Sequence, residues 1–334
     1  MTARKQKKSK CAAAFILAGT ALLILFFVSI NLGSIRLTVP QLLNGLFIEY
    51  DKDVASVYDL RFPRILISMM AGASLAVAGT LLQAVLKNPL ADPGLLGISS
   101  GAGFAAVLAS MLFPQLYFFT PLFSFLGGLL AFGMVCGLAW KGTLSPMRII
   151  LMGIAIQSLF SGLSEALRAI SGGNSSGVAS IVQGNITMKT WDDVHVLAVV
   201  AGVGLLLAFG CAHWCDLCGL EDKTVRGLGV DIDKVRLCVS LTAVLLASGC
   251  TALVGPVSFI GLLVPHIGRV LVGSTHYRLL PFSALAGALL FLLADTLGRT
   301  IIRPHEMNAS VLLAVLGGIT FVVLLRKNGG VYGK

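Results

Sequence analysis

The sequence predicts an all-α integral membrane protein with about ten transmembrane helices, and three observations lead there. Apolar residues fill 56% of the 334 positions and charged ones only 12%, where soluble domains average about 25% charged. The mean hydropathy is +0.91, and apolar runs long enough to cross hydrocarbon as a helix, about 20 residues, recur from end to end. The lysines and arginines between those runs fall unevenly on alternate sides.

The first run follows a basic stretch, MTARKQKKSK, which has the charge layout of a signal peptide. Its apolar part, CAAAFILAGTALLILFFVSI, exceeds the ~7–15 residues of a cleaved signal core, so it reads as a retained span at 12–32. Further spans are read near 64–86, 94–113, 119–140, 147–170, 194–213, 236–254, 256–273, 280–298 and 308–325. The break at 254–261 rests on Gly255 and Pro256 rather than on any polar loop. Small residues recur inside the runs, as in MAGASLAVAG (70–79) and SSGAGFAAVLAS (99–110), where they let helix backbones approach closely.

With the N-terminus inside, 17 of the 25 lysines and arginines fall on the inner side and 8 on the outer. The positive-inside rule then places both termini in the cytoplasm, which an even number of spans requires. The chain reads as one permease domain over 1–334, with a basic tail at 1–11. Residues 33–60 and 171–193 are the long external stretches, and 214–235 is the longest internal connection.

No P-loop, HExxH or GxSxG occurs, and no ladder of carboxylates runs through the spans. The chain is therefore not expected to be an enzyme, and any energy source for transport lies on another chain. The net charge of +10 does not gather into a basic stripe with interleaved aromatics, so nucleic acid is not an expected partner. The seven cysteines lie in or beside apolar runs and read as reduced, buried thiols. Cys211, His213, Cys215 and Cys218 in CAHWCDLC resemble a metal cluster, but the second Cys or His pair that structural zinc uses is absent. No metal site is expected.

Charges at span level carry more information, since an ionisable group in hydrocarbon has to be paired or face water. Glu165 and Arg168, and Asp295 and Arg299, are spaced to neutralise each other on one helix face. Arg61 and Arg64 in RFPR flank Pro63 at the outer start of the second span, where the helix dipole disfavours cations. KNPLADPGLLGISSG (87–101) sets two prolines in a tight inner turn suited to a constriction. GLEDKTVRGLGVDIDKVR (219–236) reads as two short helices about a glycine turn, a docking surface for a soluble partner.

RFPR, GASLAVAGTLLQAVLKNPLADPGLLGISSGAG (72–103), GPVSFIGLLVPHIGRVLVGSTHYRLLP (255–281) and LLADTLGR (292–299) resemble the FecCD-type permeases of ABC importers for ferric siderophores, haem and cobalamin. The likeness runs from about residue 60 to the C-terminus. It implies an ABC type II importer permease fold in the bacterial cytoplasmic (inner) membrane. Its partners would be a second permease in a homodimer or heterodimer, two cytoplasmic ATPase subunits that use the ATP, and an extracytoplasmic substrate-binding protein. The implied cargo is an iron chelate, with ferric siderophore ahead of haem and cobalamin. A zinc or manganese permease and an ion-coupled secondary carrier are the alternatives.

By the same likeness Arg61, Arg64 and Arg299 dock the binding protein, and Asn88 and Leu90 form an inner gate. The coupling segment 219–236 seats on the ATPase through Asp222, Arg226, Leu228 and Gly229. Two departures from the family pattern stand out. Lys223 follows Asp222, and the second gate, where small hydroxyl residues are usual, reads LSPMR, with Ser145 and Pro146.

Overall fold

The computed structural model describes residues 2–32, 37–38, 40–41, 44–45, 51–141, 143–144, 146–170, 186–187, 189–301 and 305–328. They form α1 (Thr2–Asn31), α2 (Lys52–Leu60), α3 (Phe62–Val85), α4 (Ile98–Leu112), α5 (Thr120–Ala139), α6 (Pro146–Ile170) and α7 (Trp191–Gly210). After these come α8 (Ala212–Cys218), α9 (Asp222–Gly227), α10 (Ile232–Val254), α11 (Ile260–Val272), α12 (His276–Ile301) and α13 (Ala309–Asn328). A 3-10 turn (Pro114–Phe119) leads into α5, and a two-residue antiparallel pair, Trp140–Lys141 with Thr143–Leu144, joins α5 to α6.

Seven helical stretches are long and apolar enough to cross a membrane, and three shorter apolar helices lie at Ile98–Leu112, Ile260–Val272 and Ala309–Thr320. Together they fall on the ten predicted runs, so the chain is a multi-pass, all-helical membrane protein. Two details differ from the sequence reading. Helix α1 continues back through the basic stretch to Thr2. The second of the two short helices expected in 219–236 is the beginning of α10, because Asp231 caps that helix through the amides of Asp233 and Lys234 and no Gly or Pro interrupts it before Gly249.

Helix α3 is the centre of the bundle: 83% of its apolar window is buried, against 11% for α1 and 28% for α6. It packs against α12, α10, α11 and α7, while α4 packs on α5 and α6. The run of small residues in GASLAVAG makes this possible. A Cβ added at Gly72 would fall far inside van der Waals contact with the Gly287 carbonyl on α12, and one at Gly79 inside contact with the backbone of Gly261 on α11. The helices therefore meet backbone to backbone, and the hydroxyls of Ser68 and Thr80 return to the carbonyls of Arg64 and Ala76 on their own helix (2.8 and 2.9 Å).

The two short helices α4 and α11 begin where irregular backbone is held by buried side chains. Asp92 is 1% exposed. Its carboxylate accepts from the Gly94 and Leu95 amides (2.8 and 3.4 Å), and the amides of Gly261 and Leu262 reach it from α11. Helix α11 has no capping side chain of its own, its N-cap being Phe259 at φ 72, so Asp92 caps it from another segment. Gln83 adds bonds from its amide to the carbonyls of Ala91 and Gly261 (3.2 and 3.0 Å).

The backbone contact yields a test. Gly79→Ala should lower stability in detergent by about 1–3 kcal/mol or abolish folding, as overpacking does. Gly133→Ala, where no atom lies within 4 Å of the new methyl group, should stay near neutral. Equal unfolding midpoints for the two variants would remove the backbone contact as the organising feature.

Candidate functional site

Charged residues of the described structure gather at the two ends of α3. At its first turn, Arg61 caps the helix and Pro63 occupies an early position that needs no amide partner. Arg64 points inward and is only 8% exposed. Its Nε lies 3.0 and 3.2 Å from the two Asp295 oxygens, its Nη2 lies 2.8 Å from Asp295 Oδ1, and its Nη1 lies 2.7 Å from Glu306. Glu306 also accepts from the Thr187 hydroxyl at 3.2 Å.

Arg299, one turn beyond Asp295 on α12, lies 3.4 Å from the other Asp295 oxygen and donates to the Ser29 hydroxyl of α1. Arg61 is half-buried and donates to the Ile30 carbonyl, also on α1. Arg64 and Arg299 thus share Asp295, Arg64 also pairs with Glu306, and Arg61 lies at the same end on the Ile30 carbonyl. Burial alone would raise the Glu306 carboxyl, but the Arg64 hydrogen bond and charge outweigh it and hold that group below the usual range.

Sequence spacing pairs Asp295 with Arg299, whereas its stronger partner is Arg64, from a helix 231 positions away. The same pairing turns Arg64 away from the outward presentation that RFPR led us to expect. A buried arginine without a carboxylate is far costlier than an exposed one, and Asp295 supplies that carboxylate. The Glu165–Arg168 pair does form, at 2.8 Å.

At the opposite end, α3 stops at Leu86, and Lys87 takes a left-handed conformation, φ 48. Asn88 Oδ1 accepts from the Leu90 amide (2.9 Å) and the Ala91 amide closes on the Asn88 carbonyl (3.1 Å), a local turn built round Pro89. The Lys87 ammonium reaches the Leu220 carbonyl (2.6 Å) and Asp222 (3.1 Å). Asp222 in turn receives both terminal nitrogens of Arg236 on α10, at 2.7 and 3.0 Å. That bidentate contact, with Lys87 beside it, holds the Asp222 carboxyl below its usual range.

Arg226 pairs with Asp233 in the open (3.1 Å). Leu228 is 64% exposed, and Gly229 turns the chain at φ 78. Asp216 accepts from the backbone amide of His276 (3.0 Å) and lies 2.6 Å from its Nδ1, joining α8 to the start of α12.

Of the predicted residues, Arg61, Arg64 and Arg299 therefore share one end, and Asn88, Leu90, Asp222, Arg226, Leu228 and Gly229 the other. Ser145 lies outside the described residues, and Pro146 opens α6. Sequence reading missed Lys87, Arg236, Asp295 as partner of Arg64, and Glu306. Only Lys87 carried a local signal, its place beside Asn88. In CAHWCDLC, Cys215 and Cys218 are buried while His213 is exposed, so the histidine turns away from the thiols. Burial pushes both thiols up, away from reactivity. No group of three or more His, Cys, Asp or Glu residues placed to hold a metal occurs among the described residues.

The model of the FecCD transport family matches residues 21–327. The chain belongs to the FecCD transport family. Among its FecCD relatives is the Staphylococcus aureus protein named "Probable heme-iron transport system permease protein IsdF", 40% identical over 318 residues, which is 95% of this chain and 97% of that one. A solved metal-chelate type ABC transporter in an inward-facing conformation matches with a TM-score of 0.77 at 28% identity, over 93% of this chain and 98% of that one. PsaBC from Streptococcus pneumoniae in complex with Fab shares the fold, with a TM-score of 0.61 at 14% identity over 86% and 95% of the two chains. The residues expected at gate, coupling and docking positions fall inside the stretch that the FecCD model matches, with Gly79, Gly261 and the other helix-packing glycines among them.

The ion cluster gives a stability prediction for this FecCD chain. Asp295→Ala leaves buried Arg64 and part-buried Arg299 without their shared carboxylate and should cost about 3–5 kcal/mol. Glu306→Gln should cost about 1 kcal/mol or less, because its side chain is 42% exposed. Denaturant unfolding in detergent distinguishes the two, and equal losses would mean that Asp295 is not the anchor of the cluster.

Proposed function

We infer that this chain is the transmembrane permease subunit of an ATP-driven importer that carries an iron chelate across the bacterial cytoplasmic membrane, with both termini in the cytoplasm. The observation that carries the reading is the membership of the FecCD transport family together with two unlike charged ends on one buried helix. The end where Arg61, Arg64 and Arg299 gather faces outward and receives acidic groups of a substrate-binding protein. The α9 end faces inward, where exposed Leu228 and the turn at Gly229 seat on an ATPase. The S. aureus relative, named for heme-iron transport, moves haem forward among the iron chelates.

A second permease chain, of the same or another sequence, completes the path, and two ATPase subunits supply the ATP hydrolysis that this chain does not perform. The mechanism is alternating access: closure of the ATPases shifts 219–236, and the turn holding Asn88 and Leu90 opens or shuts the inner exit. Rigid packed helices switch between arrangements instead of stretching. Such a cargo is passed on more easily than held, which suits a bundle whose charges sit at its ends.

Three measurements test this reading. Vesicles holding the permease with its ATPase should take up haem or a ferric siderophore only with ATP and binding protein, and uptake without ATP would point to a secondary carrier. Arg61→Glu should weaken binding-protein association by about tenfold or more, roughly 1.4 kcal/mol, while the chain still inserts and folds; unchanged association would remove the docking role. Gly229→Trp meets open space but a left-handed backbone, costing about 1–2 kcal/mol. It should uncouple ATP hydrolysis from uptake, and coupled uptake would reduce 219–236 to a connector.

A further inference from the structure

Lys87 stands where helices commonly end in glycine. It follows the last residues of α3 with φ 48, one of two described non-glycine residues with positive φ. A left-handed residue with a Cβ is strained, so something in the fold has to hold it there. What it gains is reach: its ammonium bonds the Leu220 carbonyl and Asp222, both in the segment that begins α9. Asp222 is at the same time gripped by the guanidinium of Arg236 at the start of α10. The end of α3 and the 219–236 segment, 135 positions apart from Lys87 to Asp222, are tied at one carboxylate.

The next residues after Lys87 are Asn88, Pro89 and Leu90, the turn read above as the inner gate. No flexible spacer separates the anchor from that turn. Its far side is also fixed, through Asp92 to the first amides of α11 and through Gln83 to the carbonyls of Ala91 and Gly261. A pull on Lys87 is therefore transmitted to the whole turn rather than absorbed in it.

We propose that the Lys87–Asp222–Arg236 triad is the mechanical link through which movement of the 219–236 segment reaches the Asn88–Leu90 turn, with Lys87 as its positioning residue. The proposal rests on the reading of 219–236 as the ATPase seat. Half-exposed ion pairs of this kind add little to stability. The role of the triad is directional: it sets which element follows the segment when the segment moves.

Lys87→Gly separates the two roles. Glycine relieves the left-handed backbone, so a purely structural Lys87 predicts equal or higher thermal stability and unchanged function. The link predicts stability kept and gating lost. The test uses the permease assembled with its ATPase in lipid nanodiscs, the native cysteines replaced and a single reporter introduced as Leu90→Cys. The readout is the rate at which a water-soluble thiol reagent labels that position, with and without a non-hydrolysable ATP analogue.

In the otherwise unaltered chain the analogue should change the labelling rate about fivefold or more. Lys87→Gly should bring the change to within about twofold, and Lys87→Arg should retain it. A full nucleotide response in Lys87→Gly overturns the link. If the unaltered chain with ATPase bound shows no response, the gate reading of the previous subsection fails and the link with it. If Leu228→Glu leaves ATPase association intact, 219–236 is not the ATPase seat, and the link, which rests on that reading, falls with it.

Discussion

Lipid tails are as apolar as leucine, so two helices in a bilayer gain little from burying apolar side chains against each other, and close backbone packing takes over. In this chain α3 makes that approach twice, against α12 at Gly72 and Gly287 and against α11 at Gly79 and Gly261. Glycine at these four positions leaves the helices no spacer to compress. Two buried contacts depend on that spacing, since Arg64 meets Asp295 across the α3–α12 contact and Asp92 meets the α11 amides just beyond the α3–α11 contact.

Helix α3 is 24 residues long, or about 36 Å at about 1.5 Å per residue. Its first turn carries the arginine cluster, and the residue after its C-cap carries the anchor to Asp222. Locked to α11 and α12 along its length, it behaves as a rod joining the two charged ends, so a displacement at one end has to appear at the other or at the turn beyond it. The irregular backbone of that turn is tied off by Asp92 and Gln83, buried polar groups whose bonds keep it from becoming a soft joint.

All ten apolar runs were legible because a span needs only length and composition, which are local. Proline and glycine punctuation located the turn after α3, whereas the start of α10 was read four residues late, because the Asp231 cap was not recognised. Partnership was not legible. Arg64 chooses Asp295 over solvent, and Asp295 prefers Arg64 to the nearer-in-sequence Arg299, only because α3 and α12 are brought side by side by glycines 215 positions apart, from 72 to 287. The Lys87–Asp222 contact, 135 positions apart, is hidden for the same reason. What sequence revealed about CAHWCDLC was its residue types, while the helical turn of α8 decides that His213 faces away from Cys215 and Cys218.

Between the charged ends, the hydroxyls of α3 and α10 largely satisfy themselves within their own helices, as Thr80 does at Ala76 and Thr251 at Ala247. Among the described residues, Thr80 to Ser283 ties α3 to α12, Ser124 to the Ala102 carbonyl ties α5 to α4, and the Cys250 thiol lies 3.8 Å from the Ala71 carbonyl between α10 and α3. The first two ties reinforce a pair already in close glycine contact, since Gly101 and Gly127 bring α4 and α5 together as Gly72 and Gly287 bring α3 and α12. Each pair is thereby stiffened as a unit. The α10 helix packs on both α3 and α5, so it touches one member of each pair, and near its start it carries Arg236, the partner of Asp222.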